Sequence, residues 1–257
     1  MPPPSPSLPP VFRRLPRREH HEEILDGGEV TGPDLVRSLG AMAMVNRRLG
    51  GVRALRGALR ELRAPGEPRL EPLTLLDVGT GNGNLARALA TTLRRGGRAV
   101  RAVGIDLHQS VLEAAQAAGP DAEGDSGRER APLRLVRADG LHLPFADGSV
   151  DVVTSSLTLH HLTDGEVRAL LAEAARVARR RVLLTDLERH PLHYAGARLL
   201  GLTVWRRDPI TRIDGPLSVL RSFTRSELEG LAEDAPFRSV RIHRSFPFRL
   251  VLDGVPG

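Results

Sequence analysis

Leu75-Leu76-Asp77-Val78-Gly79-Thr80-Gly81-Asn82-Gly83-Asn84 decides the fold. An apolar run ends in an acid, glycines follow at alternate positions, and the helical pattern Leu85-Ala86-Arg87-Ala88-Leu89-Ala90 begins directly after. Glycine permits a tight turn at positive φ and lets a ligand lie against bare backbone. The start of a helix offers unpaired N–H groups. The stretch therefore predicts a strand that delivers a small, nucleotide-like ligand onto a glycine loop. An ordinary strand–turn–helix junction is the bland alternative, and the residues downstream weigh against it.

The dinucleotide fingerprint G-x-G-x-x-G places a pyrophosphate at the helix start. Here the third glycine comes one residue early, at Gly83, and Asn84 stands in its place. A carboxylate at Asp77 suits a cationic ligand better than a pyrophosphate. The spacing D-x-G-x-G-x-G resembles the first motif of class I S-adenosylmethionine-dependent methyltransferases, whose cofactor carries an ammonium and a sulfonium and no phosphate. A second strand pattern, Ala99–Ile105, ends at Asp106. An acid there, twenty-odd residues after a glycine loop, is where nucleotide folds bind ribose hydroxyls. The third, Leu133–Val136, runs into Ala138-Asp139-Gly140, where the Asp-Gly pair is either a turn or, as the resemblance implies, an adenine contact. Leu143-Pro144-Phe145, a turn, then Asp151-Val152-Val153-Thr154-Ser155-Ser156 and Leu157-Thr158-Leu159-His160-His161-Leu162 looks like the fourth motif of the same family.

The resemblance runs from Leu75 to Leu162 and extends, more loosely, to a fifth strand near Asp186. It implies that Asp77, Gly79, Thr80, Gly81 and Gly83 hold the amino-acid end of S-adenosyl-L-methionine. It places Asp106 and Leu107 on the ribose, Asp139 and Gly140 on the adenine, and Ser155 near the methionine part. The fold it implies is α/β: a Rossmann-like, doubly wound, mostly parallel seven-stranded sheet with a C-terminal antiparallel hairpin and an N-terminal helical extension. Alternating strand and helix patterns agree, because they specify a parallel sheet with right-handed crossovers.

Composition bounds the rest. A chain of 257 residues suits one α/β domain with extensions. It has no cysteine, so no disulfide and no thiolate metal site, and no metal is expected. No apolar stretch approaches the roughly 20 residues of a membrane span. The Pro-rich start lacks a signal peptide's apolar core, so the expected location is cytoplasmic. The net charge of +6 invites a nucleic-acid reading. However, every basic residue is arginine, the arginines are scattered, and aromatics make up only 3%, which leaves few stacking platforms. The fourth strand also lacks the N/D-P-P-Y/F pattern of amino-methylating DNA enzymes. No nucleic-acid partner is expected, and the oligomeric state is open.

Three parts are expected: residues 1–18 as a disordered Pro/Arg-rich tail, 19–68 as an N-terminal helical cap, and 69–257 as the cofactor-binding domain. Strands are predicted at Leu73–Val78, Ala99–Ile105, Leu133–Val136, Val150–Ser155 and Arg181–Thr185. Helices are predicted at Asn84–Arg95, Ser110–Ala118 and Gly165–Arg179, and a hairpin at Arg238–His243 and Phe246–Leu252. Thr163 with Glu166 and Thr224 with Glu227 read as capping boxes. Residues 119–131 read as a surface insertion. The stretch Tyr194–Trp205 is apolar nearly all round, the pattern of a buried helix, and follows the candidate acceptor residues closely enough to wall a substrate pocket.

If the fourth and fifth strands adjoin, His160, His161, Asp186, His190 and His193 gather at one pocket. Histidine accepts protons near neutrality, so His160, His161, Asp186 and His190 are the candidate catalytic residues; a capping or packing role for His160 is the alternative. The function expected is S-adenosylmethionine-dependent methylation of a small, apolar, phenolic or polyketide-like acceptor, with O-methylation favoured. A quinone-pathway type of C-methylation is the alternative. A nicotinamide oxidoreductase and a non-catalytic cofactor-binding protein are the competing classes.

Overall fold

The computed structural model describes Leu15 and residues 18–27, 30–48, 50–61, 72–117, 132–206 and 208–257. Its strands are β1 (Leu73–Val78), β2 (Val100–Asp106), β3 (Leu133–Arg137), β4 (Val150–Ser156), β5 (Ala178–Leu187), β6 (Phe237–Ser245) and β7 (Arg249–Pro256). They form one sheet in the order β3-β2-β1-β4-β5-β7-β6. The first five strands are parallel, and β7 and β6 return antiparallel along the β5 edge. The Rossmann-like, mostly parallel architecture with its closing hairpin is therefore the one the sequence predicts. Strand order reverses between β1 and β4, and in open sheets such a switch point holds ligands beyond the carboxyl ends of the strands.

The helices are α1 (Gly32–Arg48), α2 (Gly51–Glu61), α3 (Asn84–Arg95), α4 (Gln109–Ala117), α5 (Asp164–Val177), α6 (Pro191–Leu202), α7 (Pro209–Arg221) and α8 (Arg225–Ala232). The period-two alternation of β1 divides the core into two layers. Leu76 and Val78 pack with Val153 of β4 and with Val167, Leu170 and Leu171 of α5. Leu73 and Leu75 face Leu55 and Leu59 of α2 and Leu85 and Leu89 of α3. Both faces of β1 and β4 are thus covered, which is why each reads as a near-continuous apolar run. Thr163 accepts from the Glu166 N–H, Thr224 accepts from the Glu227 N–H, and both capping boxes are complete. Among the described residues no helix is long and apolar enough to cross a membrane.

Several boundaries differ from the sequence reading. α5 stops at Val177 and β5 begins at once with Ala178, so Ala178 and Arg179 are strand rather than helix. Residues 246–248 are the hairpin turn, not the start of β7. Arg18, assigned to the tail, is fixed in place. Its Nε donates to the Arg221 carbonyl at 2.6 Å, its Nη1 reaches Asp164 at 2.7 Å, and its guanidinium lies 3.8 Å over the Phe223 ring. The remaining tail positions except Leu15, the 119–131 insertion and the Pro65–Pro68 junction lie outside the described residues.

α6 is buried only along Tyr194, Ala197 and Gly201, while Leu192, Leu199 and Leu202 stand exposed. It packs chiefly on α7, with Leu187 of β5 and Leu15 against the same cluster, so an all-round apolar helix keeps one face open. α7 was not anticipated as a whole helix. Its start carried a legible signal, because Asp208 accepts from the Ile210 and Thr211 N–H groups with Pro209 following, the usual cap-then-proline arrangement. Pro216 inside it obscured the pattern.

Replacing Thr163 by Ala removes the α5 cap. The expected outcome is a loss of about 1 kcal/mol in denaturant unfolding with an unchanged slope. No change in midpoint would show that the cap does not hold α5.

Candidate functional site

Two cavities meet at the carboxyl ends of β1 and β4. The larger, about 590 Å³, opens above the glycine loop and is roofed by Leu35, Leu39 and Ala43 of α1. Gly79, Gly81 and Gly83 have φ of 63°, 54° and 73°, the left-handed region that glycine enters freely. At Gly79 a side chain is also excluded by contact, because a Cβ would lie 2.5 Å from the Thr158 hydroxyl. Gly79, Thr80 and Gly81 border the crevice. Gly83 does not; it precedes α3 and faces Arg87 and Leu133.

Asp77 is buried, with its oxygens accepting from Thr154 Oγ1 at 2.7 Å and Thr80 Oγ1 at 2.9 Å. Burial outweighs these bonds and pushes its pKa up to about 6. Asp106, at the tip of β2, accepts from the Gly81 N–H at 3.0 Å and the His108 N–H at 3.1 Å, one on each oxygen. Each oxygen keeps a second lone pair, so two adjacent hydroxyls can be met at once. Leu107 beside it exposes 55% of its surface along the crevice.

Asp139 accepts from the Leu141 N–H at 2.8 Å, and this bond first, then His142, holds its pKa low. Gly140 admits Val78 where a Cβ would lie 2.6 Å from it. Ser155, expected at the ligand, does not border the crevice: its hydroxyl donates to the Val78 carbonyl at 2.7 Å and pairs with the Thr158 hydroxyl at 2.9 Å. Ser156, Leu157 and Thr158 border the crevice instead. The one-residue offset follows from the period-two alternation of β4.

The smaller cavity, about 220 Å³, lies between α6, α7 and the hairpin turn. Leu187, Leu192, Leu200, Trp205 and Phe248 make it apolar, and Glu23, His160 and His161 form one polar end. Leu25, Leu157 and His161 border both cavities and form the partition between them. Leu157 has φ of 59°, rare for a residue with a branched side chain and common where a site is under constraint.

His160 sits on a 3-10 turn, Leu159–His161. Its N–H donates to Asp186 Oδ2 at 3.0 Å and its Nδ1 lies 2.6 Å from Asp186 Oδ1. Burial alone would raise Asp186, but the His160 charge and ring N–H, with the Leu187 and His160 backbone N–H groups, hold it low. This assigns the Nδ1–H tautomer and leaves Nε2 facing Glu23 Oε1 at 3.7 Å. Asp186 supports His160 from beneath and does not border the cavity. His190 does not border it either: it caps α6 by accepting from the Leu192 N–H and stacks on Phe248. His193 does line the cavity, and burial depresses its pKa to about 4.

Sequence reasoning missed the groups that complete this end. Burial pushes Glu23 up to about 7, and Ser218 Oγ donates to it at 2.9 Å. Asp214 is raised by burial to about 6 and accepts from the Ile24 and Leu25 N–H groups. Burial would raise Asp26, but His161 and then Arg221 bring it down to about 2. The Arg221 guanidinium donates to the carbonyls of His160 and His161 and to Asp26. Contacts across some 200 positions leave no local pattern; only the Asp214-Gly215-Pro216 break in a helix hinted at constraint.

Residues 76–185 match the family model described as a methyltransferase domain. Among relatives, demethylmenaquinone methyltransferase of Roseiflexus sp. (strain RS-1) is 35% identical over 125 residues, 47% of this chain and 46% of that protein. An uncharacterized methyltransferase of Mycobacterium sp. (strain JLS) is 42% identical over 91 residues, 35% of this chain and 29% of that protein. The chain thus spans less than half the length of these relatives. Human N-acetylserotonin methyltransferase, solved with S-adenosylmethionine, superposes with a TM-score of 0.57 at 17% identity, over 87% of this chain and 56% of that one. An S-adenosylmethionine-dependent methyltransferase from Aquifex aeolicus gives 0.56 at 17% identity, over 86% and 98%. At such identities these structures speak for the fold alone.

The raised pKa of Asp77 carries a signed stability prediction. A carboxyl held near 6 in the fold and about 3.9 unfolded favours the folded state below pH 4. That contribution is lost as pH rises through about 6. Asp77→Asn should therefore flatten this fall and leave the ligand-free protein about 1–3 kcal/mol more stable at pH 7, with weaker ligand binding. Identical pH slopes of unfolding free energy in both proteins would contradict the assignment.

Proposed function

We propose that this chain is a class I S-adenosylmethionine-dependent methyltransferase using S-adenosylmethionine as cofactor, a reading supported by the match of residues 76–185 to the methyltransferase domain model and by the glycine-lined crevice at the tip of β1. The reading we propose is methylation of a small, largely apolar acceptor held in the 220 Å³ chamber by cofactor held in the neighbouring crevice. The observation that supports it is the shared partition of Leu25, Leu157 and His161, across which two ligands would lie side by side.

The crevice residues fit the cofactor. Gly81 has nothing within 4 Å of a built Cβ, so bare peptide faces the crevice there. Asp77, Gly79, Thr80 and Gly81 would take the amino-acid end, with the Asp77 charge favouring an ammonium. Asp106 and Leu107 would take the ribose, and Asp139 with Gly140 the adenine. When bound, the cofactor supplies a methyl group already activated by a sulfonium.

The protein supplies alignment and a dry chamber. His160 Nε2 would receive the acceptor's hydroxyl proton, while Asp186 fixes the ring tautomer and stabilises the imidazolium that forms. His161, on the partition, would hold the acceptor against the crevice. An apolar cavity with one polar end suits a phenolic or polyketide-like molecule, and O-methylation follows when the deprotonated oxygen attacks. A second reading, C-methylation of a quinol-type ring, is favoured by the 35% identity to demethylmenaquinone methyltransferase. Removal of the same proton would activate the ring carbon.

Asp106→Ala should abolish S-adenosylhomocysteine binding in calorimetry, and unchanged affinity would refute its ribose role. With phenols and quinols as acceptors, His160→Ala should cost roughly 10²–10⁴ in turnover and remove the drop in rate at acid pH that protonation of a base imposes. Full turnover in both His160→Ala and His161→Ala would exclude either as the base.

A further inference from the structure

We propose that Glu23, His160 and His161 form a binding site for one divalent transition-metal ion of the zinc class, its remaining coordination position open to the acceptor chamber. One ligand atom from each residue lies within 4.8 Å of the others. The two imidazole rings lie side by side, with centroids 4.1 Å apart and planes tilted by 37°. His160 Nε2 stands 3.7 Å from Glu23 Oε1. Bonds of about 2.0–2.1 Å in a tetrahedron bring neighbouring ligand atoms to about 3.3 Å, so this pair needs to close by only a few tenths of an ångström.

The surroundings of the histidines point the same way. Nδ1 of His160 lies 2.6 Å from Asp186 and Nδ1 of His161 lies 2.6 Å from Asp26. The His160 ring, hydrogen-bonded to Asp186, therefore shows the carboxylate–histidine arrangement that fixes the tautomer and raises the basicity of a metal-ligating Nε2, whereas the His161–Asp26 contact is close without hydrogen-bond geometry. Two imidazoles and one carboxylate suit zinc, cobalt or iron rather than magnesium or calcium, which prefer oxygen alone. Three protein ligands with an open position is also the pattern of catalytic rather than structural zinc.

Two neighbours compete for Glu23 Oε1. Ser218 Oγ donates to it at 2.9 Å, and Arg221 Nε stands 3.9 Å away. The Ser218 hydroxyl also reaches the Asp214 carbonyl at 2.9 Å, so it has a partner if Glu23 turns to a metal. Arg221 is committed to the carbonyls of His21, His160 and His161 and to Asp26, so it flanks Glu23 without closing onto it.

Occupancy has a functional consequence that rests on the proton-acceptor reading of His160. A metal on Nε2 takes the lone pair that would receive the acceptor's proton, so the ion inhibits methyl transfer. Metal binding itself does not depend on that reading.

The test is a titration of the full chain with Co²⁺, followed by visible absorption. One equivalent should bring up the intense d–d bands of four-coordinate cobalt, and Zn²⁺ should erase them. Glu23→Gln and His161→Asn should each weaken Co²⁺ binding by roughly tenfold or more, while far-ultraviolet circular dichroism and thermal unfolding report that the variants are folded. Should one variant misfold, the other carries the comparison. No visible bands, or bands that survive both substitutions because other histidines hold the ion, overturn the site. If zinc fills the site and turnover is unchanged, the metal site stands and His160 is not the base.

Discussion

Arg221 is the contact on which the two-cavity arrangement depends. From the last turn of α7 its guanidinium reaches the carbonyls of His160 and His161, the His21 carbonyl and the Asp26 carboxylate. Three segments far apart in sequence are thereby fixed to one another: the N-terminal stretch, the 3-10 turn after β4, and α7. The planar fork of arginine suits this task, since it places several donors at once in fixed directions. Glu23, Leu25 and Asp26 reach the site only because their segment is held here and by the Asp214 carboxylate, which accepts from the N–H groups of Ile24 and Leu25. Leu25, one of the three residues of the partition between crevice and chamber, lies on this clamped segment.

The chemistry of the site follows from how unlike charges are buried together. Glu23, Asp26, Asp186 and Asp214 gather around His160 and His161, with Arg18, Arg221 and Arg249 among them. Burial of charge is costly unless it is paired, and the carboxylates respond differently. Asp26 and Asp186, each against a histidine, stay ionised, whereas Glu23 and Asp214 rise toward neutrality. Carboxyl groups with separated pKa values beside imidazoles are the means by which one pocket can hold or release a proton near pH 7. The apolar walls strengthen each of these interactions by excluding water.

The crevice was legible in the sequence because its information is local. One strand, one glycine loop and one acid at the tip of the next strand fall within Leu75–Asp106, and the D-x-G-x-G-x-G spacing separates this loop from the dinucleotide kind. The chamber was only partly legible. His160, His161 and Asp186 were identifiable from two strand ends, yet Glu23 and Asp26 read as members of a short solvated helix, and Arg221 as one arginine among many. Their meaning lies in contacts across some 200 positions, which no spacing rule records. Ser155, Gly83 and His190, expected at the site, do not border the cavities, and for a different reason. Each lies within one to four residues of a residue that does face a cavity, and the exact turn geometry, not the pattern, decides which one points inward.

Under the proposed function the cofactor would lie over bare peptide at the tip of β1, with its sulfur turned to the partition. The most direct measurement is a crystal structure of the chain with S-adenosylhomocysteine. The account predicts the ribose hydroxyls on Asp106, the amino-acid end over Gly79 and Gly81, and the sulfur facing Leu157 and His161. A ligand whose sulfur points to solvent, or a crevice closed by α1 side chains with the ligand elsewhere, would contradict it.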